Sequence, residues 1–389
     1  MISNTNIAFV TWDSPQTNYL QNLFLPIFNG LKNKYGYNFI IIQFSWANSE
    51  VIDLRKQAVE NLGFTYYNLQ VSLKPNAFIG KFISIFNHRN TINSILKKHQ
   101  IDILMPRSIM PALVSLFIKN SKIKICYDAD GLPILERLES LVYKKNDLST
   151  IIFKSIESKR VKTADRIITR SEFASQYLSS NYQVNKEKFN VVVNGKDSKT
   201  YYFDEILRDK YRNKLDCTDK TILFIYIGSL GVKYRLQDMI DFFVRFNKIN
   251  SNSKFIILSP DSTSVNTNIK GVLKFEAPAN EVVGFLNAAD IGLGFITETS
   301  SMRAAAAIKY SEYALCGLPS LISDVGDVLI HAKSLPYLKH YKSKDFFNDY
   351  FDFINQSLKM NRNENVILAQ NFFSLNQAIK SYHSALCNI

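Results

Sequence analysis

Short apolar runs alternate with longer amphipathic stretches along the chain, and that alternation predicts its elements. Ile7 to Thr11 is apolar and stops at Trp12-Asp13-Ser14-Pro15, and Asn18 to Lys34 carries apolar residues at helical spacing, which predicts strand, loop, helix. Phe39 to Phe44 predicts the next buried strand, Val51 to Leu62 and Ile79 to Lys98 two helices, and Ile101 to Met105 a further strand. The rhythm continues through a helix at Met110 to Lys119, a strand at Lys122 to Tyr127 and a helix at Phe153 to Thr163. A strand at Arg166 to Thr169, a helix at Ser171 to Leu178 and a strand from Phe189 to Val193 follow, ending in the turn dipeptide Asn194-Gly195. Strands alternating with helices imply a parallel sheet covered on both faces.

From Tyr201 to Lys220 the chain turns polar and charged with no strand pattern, which predicts a linker. The rhythm then restarts with a strand at Thr221 to Ile227, the loop Gly228-Ser229-Leu230-Gly231 and a helix at Leu236 to Ile249. Strands at Lys254 to Leu258 and Gly271 to Phe275, a helix at Ala279 to Ala288 and a strand at Ile291 to Phe295 come next. A helix from Ala304 to Leu315 closes at Cys316-Gly317-Leu318-Pro319, with Gly where a left-handed cap is wanted and Pro just after. Ser320 to Ser323 is the last clear strand, and helices run from Lys344 to His383. The prediction is an α/β chain of two doubly wound, Rossmann-like domains facing each other across a cleft. They span 1–200 and 221–389, joined by the linker 201–220, and the last helix is free to pack back on the first domain. Open parallel sheets bind ligands outside the carboxyl ends of their strands, so the chemistry is expected there.

Composition narrows the class. A chain of 389 residues, 46% of them apolar, exceeds what one core usually serves and has ample material for two. No window holds the roughly 18 uncharged apolar residues of a membrane span, and Met1 to Asp13 lacks the basic start and cleavage site of a signal peptide. Cys126, Cys217, Cys316 and Cys387 stand far apart, which predicts reduced thiols in a cytoplasmic setting. The net charge of +13 is lopsided: residues 1–200 carry +11 and residues 201–389 carry +2. The basic residues lie through helical stretches of the first half, among them Lys97-Lys98, Lys119, Lys122, Lys124, Lys144-Lys145, Lys154, Lys159, Arg160 and Lys162. Peripheral association with an anionic membrane or a lipid diphosphate is one reading, and ordinary solvated helix faces is the other.

The first strand lacks the glycine-rich dinucleotide fingerprint, there is no phosphate loop of the ATPase kind, and no nucleophile elbow occurs. His88, His99, His331, His340 and His383 show no metal-ligand spacing, so no metal and no cofactor is expected. Nucleic-acid binding is prompted only by net charge, with no base-reading module. What remains lies in the second half. Gly228 to Gly231 follows a buried strand and precedes a helix, so its amides are placed for an anion, or it is a plain structural turn. Lys309 and Glu312 share a helix face. A cation there can hold a diphosphate and a carboxylate one turn on can accept from two ribose hydroxyls, while the bland alternative is an exposed ion pair.

Asn287-Ala288-Ala289-Asp290-Ile291-Gly292-Leu293-Gly294-Phe295, followed by Lys309-Tyr310-Ser311-Glu312-Tyr313-Ala314-Leu315-Cys316-Gly317-Leu318-Pro319, resembles the donor site of family 4 glycosyltransferases with the GT-B fold. Ala164-Asp165-Arg166-Ile167-Ile168, Val193-Asn194-Gly195, Tyr226-Ile227-Gly228-Ser229-Leu230 and Asp128-Ala129-Asp130-Gly131 with Glu136-Arg137 are similar to further landmarks, so the resemblance spans about 120 to 330. It implies that Glu312 holds the ribose of a nucleoside diphosphate, Lys309 and Arg303 its phosphates, and Gly228, Ser229 and Leu230 form a backbone cradle. It also implies that the stretch from Phe275 through Glu276 to Pro278 borders the base. Asp13 and an Asp128-Ala129-Asp130 loop would face the transferred sugar and the acceptor. Asp13, Asp128, Asp130, Arg303 and Lys309 are thus the implied catalytic residues, in a metal-independent reaction that retains anomeric configuration.

The chain departs from the family pattern in two places. Ala304 stands where many members carry a first Glu, and Ser229 where an Arg is usual; Lys233 or Arg235 is placed to supply the missing charge. The expectation is a cytoplasmic enzyme, peripheral on the inner membrane face, moving a sugar from a nucleotide sugar to a lipid-linked or polysaccharide acceptor in surface-glycan synthesis. The alternatives are a non-catalytic nucleotide-sugar-binding scaffold, and an epimerase or hydrolase on the same fold.

Overall fold

The structure is a computed structural model that describes residues 5–389 apart from 119, 143, 261–264, 266, 267 and 307. It divides into two compact units, Met1–Val192 with Ala378–Ile389, and Val193–Gln377. The first holds seven parallel strands: β1 (Asn6–Asp13), β2 (Asn38–Ser45), β3 (Thr65–Gln70), β4 (Ile103–Pro106), β5 (Lys124–Asp130), β6 (Arg166–Thr169) and β7 (Phe189–Val191). Their order is β3-β2-β1-β4-β5-β6-β7, so the order reverses between β1 and β4 and opens a crevice at their carboxyl ends. Ile7 to Val10 and Phe39 to Ile42 are wholly buried, because helices cover both faces and leave no polar side for alternation.

The second unit repeats the plan with β8 (Ile222–Ile227), β9 (Ser253–Leu258), β10 (Val272–Phe275), β11 (Ile291–Gly294), β12 (Ser320–Ile322) and β13 (Leu338–His340). All pair in parallel in the order β10-β9-β8-β11-β12-β13, and the reversal falls between β8 and β11. Gly292 and Gly294 alternate on one face of β11 for a packing reason. A Cβ at Gly292 would lie 2.9 Å from the Tyr313 ring and one at Gly294 2.5 Å from the Tyr310 ring. Two tyrosines one helical turn apart thereby lie flat on the strand and fix the helix Ile308–Leu315 above it.

Several expectations change here. The edge strands β3 and β13 and the helix Pro133–Glu139 were not foreseen. Asp128, Ala129 and Asp130 end β5 rather than forming a loop. The stretch Ala304 to Leu315 is two helices, Ser300–Ala304 and Ile308–Leu315, with extended backbone at Ala305. The segment expected as a linker holds the helix Glu205–Lys214, whose Tyr211 and Arg212 are buried in the second unit. The second unit therefore begins at Val193, and residues from Ala378 onward count with the first. Among the described residues no helix is long and apolar enough to cross a membrane. The four cysteines are unpaired.

Asn287 to Asp290 are framework. Arg208 Nη1 donates to the carbonyls of Asn287, Ala288 and Ala289 at 2.9, 3.0 and 3.0 Å, and Asp290 accepts from Arg212 Nη1 at 3.1 Å and the Leu223 amide at 2.8 Å. Arg362 adds bonds to the carbonyls of Leu286, Asn287, Ala289 and Cys316 at 2.7 to 3.2 Å. This knot closes the amino edge of the sheet, the end away from the binding crevice. Arg362→Ala strands the buried carbonyls of Leu286 and Cys316, so we expect a loss of about 2–4 kcal/mol in urea unfolding of the full chain. Arg362→Lys should recover little of it, since one ammonium cannot span four carbonyls.

Candidate active site

In the second unit the helix Ile308–Leu315 delivers Lys309 to the carboxyl end of β8. Tyr310 Oη donates to the Gly294 carbonyl at 2.6 Å and Tyr313 Oη to that of Leu293 at 3.0 Å, so two anchors flank the lysine and set its direction. Lys309 is 9% exposed, and its Nζ donates to Tyr226 Oη at 2.8 Å. Nζ also stands 4.1 Å from the ring centroids of both Tyr226 and Tyr234. Burial pushes its pKa down to about 7, with Lys233 adding to the fall and Glu312 opposing it. Next to this amine is Gly228 at φ +112°, where a Cβ would meet Lys309 Nζ at 3.4 Å. Tyr226 Oη in turn donates to the Ser229 carbonyl at 2.5 Å, which shapes the Gly228 to Leu230 turn. A buried amine beside a glycine turn, with a second cation near enough to lower its pKa, is a site arranged for an anion.

Glu312 is half-buried and is tied to Lys196 Nζ at 3.3 Å, with Tyr201 as a second hydrogen-bond partner that burial and the carboxylate together keep protonated. The reading of Lys309 and Glu312 as an exposed ion pair does not hold: both are largely sequestered, and Glu312 takes its charge partner from outside its helix. Arg303 sits on the preceding short helix, 48% exposed, with Nε 3.6 Å from Asp324. Glu276 and Pro278 are exposed just beyond β10, at the same edge of the sheet, and Lys233 stands in the turn after Gly231.

The first unit places its charges at the carboxyl ends of β1, β4 and β5. Asp13 is 3% exposed, and its Oδ2 accepts from Thr11 Oγ1 at 2.9 Å and Gln43 Nε2 at 2.7 Å, while Tyr66 Oη holds Gln43 at 2.7 Å. Arg107 Nη2 donates to Asp130 at 2.6 Å, and Arg170 Nη2 donates to Asp128 at 2.7 Å. Asp128 is fully buried and uses its second oxygen on the Asp130 amide at 3.0 Å. Burial pushes the Asp128 carboxyl up against the pull of Arg170. Asp130 is held below the usual carboxylate range because Arg107 and Arg170 outweigh its burial.

Both oxygens of the buried Asp128, expected to face sugar and acceptor, are engaged inside the fold by Arg170 and by the Asp130 amide. Asp130, 36% exposed at its side chain and at φ +64°, is the open carboxylate of the pair. Sequence reading missed Tyr226 and Tyr234 as the lysine's cage, Lys196 and Tyr201 as partners of Glu312, and Arg107 and Arg170 as the cations of the first crevice. Arg170 directly follows β6 and Lys196 follows the Asn194-Gly195 turn, so position after a strand or turn was the available signal. Asp128→Ala takes from the buried Arg170 its nearest carboxylate, leaving Asp130 at 3.6 Å, and should cost about 3–5 kcal/mol in chemical denaturation. Asp130→Ala takes from the buried Arg107 its carboxylate partner and should likewise cost about 3–5 kcal/mol.

Residues 48–199 match the family model described as Glycosyltransferase Family 4. The match lies in the first half and starts well before residue 120, where the sequence resemblance was placed. No match was found among curated proteins. Among solved structures, HepE of Anabaena in complex with UDP superposes with a TM-score of 0.71 at 12% identity, covering 99% of this chain and 100% of that one. A glycosyltransferase of Rickettsia africae gives 0.70 at 16% identity, covering 100% of both chains. WaaG, a glycosyltransferase involved in lipopolysaccharide biosynthesis, gives 0.68 at 16% identity, covering 98% of this chain and 99% of that one. At such identities the likeness is one of fold. The family 4 match is confined to residues 48–199, and the two Rossmann-like units share the GT-B plan of these solved structures.

Proposed function

We propose that this chain moves a sugar, with retention of anomeric configuration, from a nucleoside-diphosphate sugar to a lipid-linked or polysaccharide acceptor in surface-glycan synthesis, at the inner face of the cytoplasmic membrane. The observation that carries the reading is the caged amine of Lys309 against Gly228 at the strand-order reversal of the second unit. As the glycosidic bond breaks, negative charge grows on the departing diphosphate. Lys309, the amides after Gly228 and the nearby Lys233 are the groups placed to stabilise it, and they act from a dry site where charge is weakly screened. Glu312, oriented by Lys196 and Tyr201, takes the ribose hydroxyls, and Arg303 extends the cationic side. Glu276 and Pro278 border the base. The positive charge comes from these side chains and amides, so the reading calls for no metal and no cofactor. Asp13 and Asp130 face the transferred sugar and acceptor, and the leaving phosphate takes the acceptor's proton.

Ala304 and Ser229 remove two contacts common among such enzymes, and a binding-only scaffold is the competing reading. Product analysis separates the two, since binding of a nucleotide sugar without transfer in an acceptor screen favours the scaffold. Glu312→Ala should abolish transfer while lowering the melting temperature by only a few degrees through the lost Lys196 pair, and full activity in that variant would remove the reading's central residue.

The titration of Lys309 supplies a second check. Its folded pKa of about 7 lies below the ordinary lysine value, so the empty site is largely neutral in mild alkali, and an arriving diphosphate must recharge it. Affinity for a nucleotide sugar, whose diphosphate diester has no proton to lose there, should fall by up to about tenfold per pH unit above neutrality. Calorimetry at about pH 8.5 in buffers of different ionisation enthalpy should show proton uptake. Lys309→Arg should flatten the profile, and a flat wild-type profile would count against Lys309 as the phosphate ligand.

A further inference from the structure

The carboxylate of Glu312 is met by Lys196 Nζ at 3.3 Å, with the two side chains 15% and 13% exposed. No other carboxylate pairs with Lys196 among the described residues. Tyr201 supplies Glu312 with a second donor, kept protonated by its burial and by the carboxylate it faces. A carboxylate offers about four lone-pair directions, so two remain once Lys196 and Tyr201 are served, and a vicinal diol presents two hydroxyls.

The lysine is held at both ends. Its amide donates to the Phe373 carbonyl at 2.9 Å and its carbonyl accepts from the Leu375 amide at 2.7 Å, in a parallel bridge to Ser374. Both partners lie close to the places where the chain passes between its two units, since the second unit begins at Val193 and ends at Gln377. Residues 193–196 and 373–375 are therefore paired segments, and one side chain of that pair reaches the donor-site carboxylate. Tyr201 is fixed too: its amide donates to the Asp197 carbonyl at 3.0 Å and its ring packs against two buried clusters of the second unit. A backbone bonded on both sides leaves only the lysine's own stem to be ordered on binding. At 3.3 Å the Lys196 contact is longer than the roughly 2.7–2.9 Å of a tight charge-assisted bond, and both heads still meet water. A ribose seated on the free lone pairs excludes that water, which lowers the local dielectric and strengthens the pair. A lysine that merely competed with ribose for Glu312 would act with the opposite sign.

We infer that Lys196 is a positioning residue for donor recognition: it makes Glu312 read the full 2′,3′-diol, so that the site selects ribonucleotides over 2′-deoxyribonucleotides, and it carries ribose occupancy to the paired segments 193–196 and 373–375. The inference rests on the reading above that Glu312 takes the ribose hydroxyls. It adds to that reading a specificity, and a route by which donor binding firms the backbone beside the two chain crossings. By reciprocity, loosening those segments weakens donor binding by the same factor.

The test is calorimetric titration of the full-length protein with uridine, cytidine, adenosine and guanosine diphosphates, followed by comparison of the tightest with its 2′-deoxy form. The wild type should prefer the ribose form by about tenfold or more, the loss expected for one hydrogen bond to a charged group. Lys196→Met, which keeps the length of the stem, should shrink that preference to about threefold or less, and Lys196→Arg should restore it. A merely structural lysine would weaken both forms equally and leave their ratio alone. In the wild type the ribonucleotide should slow hydrogen exchange at the Leu375 amide, and the 2′-deoxy form should do so less. A wild type that binds both forms equally, or whose Leu375 exchange does not move, overturns the inference without any variant. A Lys196→Met protein that is folded by circular dichroism and keeps its full preference overturns it too. So does one that binds the ribonucleotide more tightly, since lysine and ribose are then competitors. Absence of binding by all four diphosphates sinks the nucleotide-sugar reading itself, whereas binding without a ribose preference sinks this inference alone.

Discussion

A lysine amine almost cut off from water has to be either neutral or matched by an anion, and Lys309 has no carboxylate within bonding distance of its Nζ among the described residues. Its contacts are a phenol oxygen and two aromatic faces, which attract a cation weakly and leave its charge to be completed from outside. The surrounding architecture follows from that demand. Gly228 keeps the approach clear of a side chain, Tyr310 and Tyr313 stop the helix from rolling, and the two glycines of β11 make room for those rings.

The two crevices solve the problem of charge at a sheet edge in opposite ways. In the first unit, Arg107 and Arg170 are matched internally by Asp128 and Asp130, so the network is rigid with or without a ligand. In the second, the charge is left open, and in the proposed function a diphosphate closes it. A site that recognises a diphosphate gains from the second arrangement, because binding then supplies the missing partner instead of displacing one already present. Asp13 lies between the extremes: its Oδ2 is fixed by Thr11 and Gln43, which orients the carboxylate without neutralising it.

The parallel sheets were legible because buried strands read as unbroken apolar runs; β1, β2, β6, β8 and β9 could be placed within a residue or two. Edge strands were not. Thr65–Gln70 mixes polar and aromatic residues because one side of an edge strand meets solvent, and Leu338–His340 is too short to show a period. The helix Glu205–Lys214 was mistaken for a linker because its inward face is partly charged: Arg212 enters the interior to meet Asp290. The alanine run predicted one helix, yet tertiary packing of Tyr310 and Tyr313 overrides alanine propensity and the backbone restarts at Ile308. In the site, Lys309 and Glu312 were visible as side chains with chemistry, while their cage and tether were not, since tyrosines from distant strands and loops become neighbours only through the fold. Asn287 to Asp290 carried the resemblance yet serves as scaffold, a reminder that a shared motif can mark shared architecture.

The return of residues 378–389 to the first unit has a consequence for how the protein is made. Ile379 fills the space over Gly30, where no Cβ would fit, and Tyr382 reaches Asp128 in the buried ion network. A ribosome delivers these residues only after the whole second unit has been translated, so the domain that starts first must wait, incompletely packed, while its successor folds. During that interval its unfilled apolar surface is open to chaperones, and nascent-chain proteolysis should find the earlier domain the more vulnerable of the two.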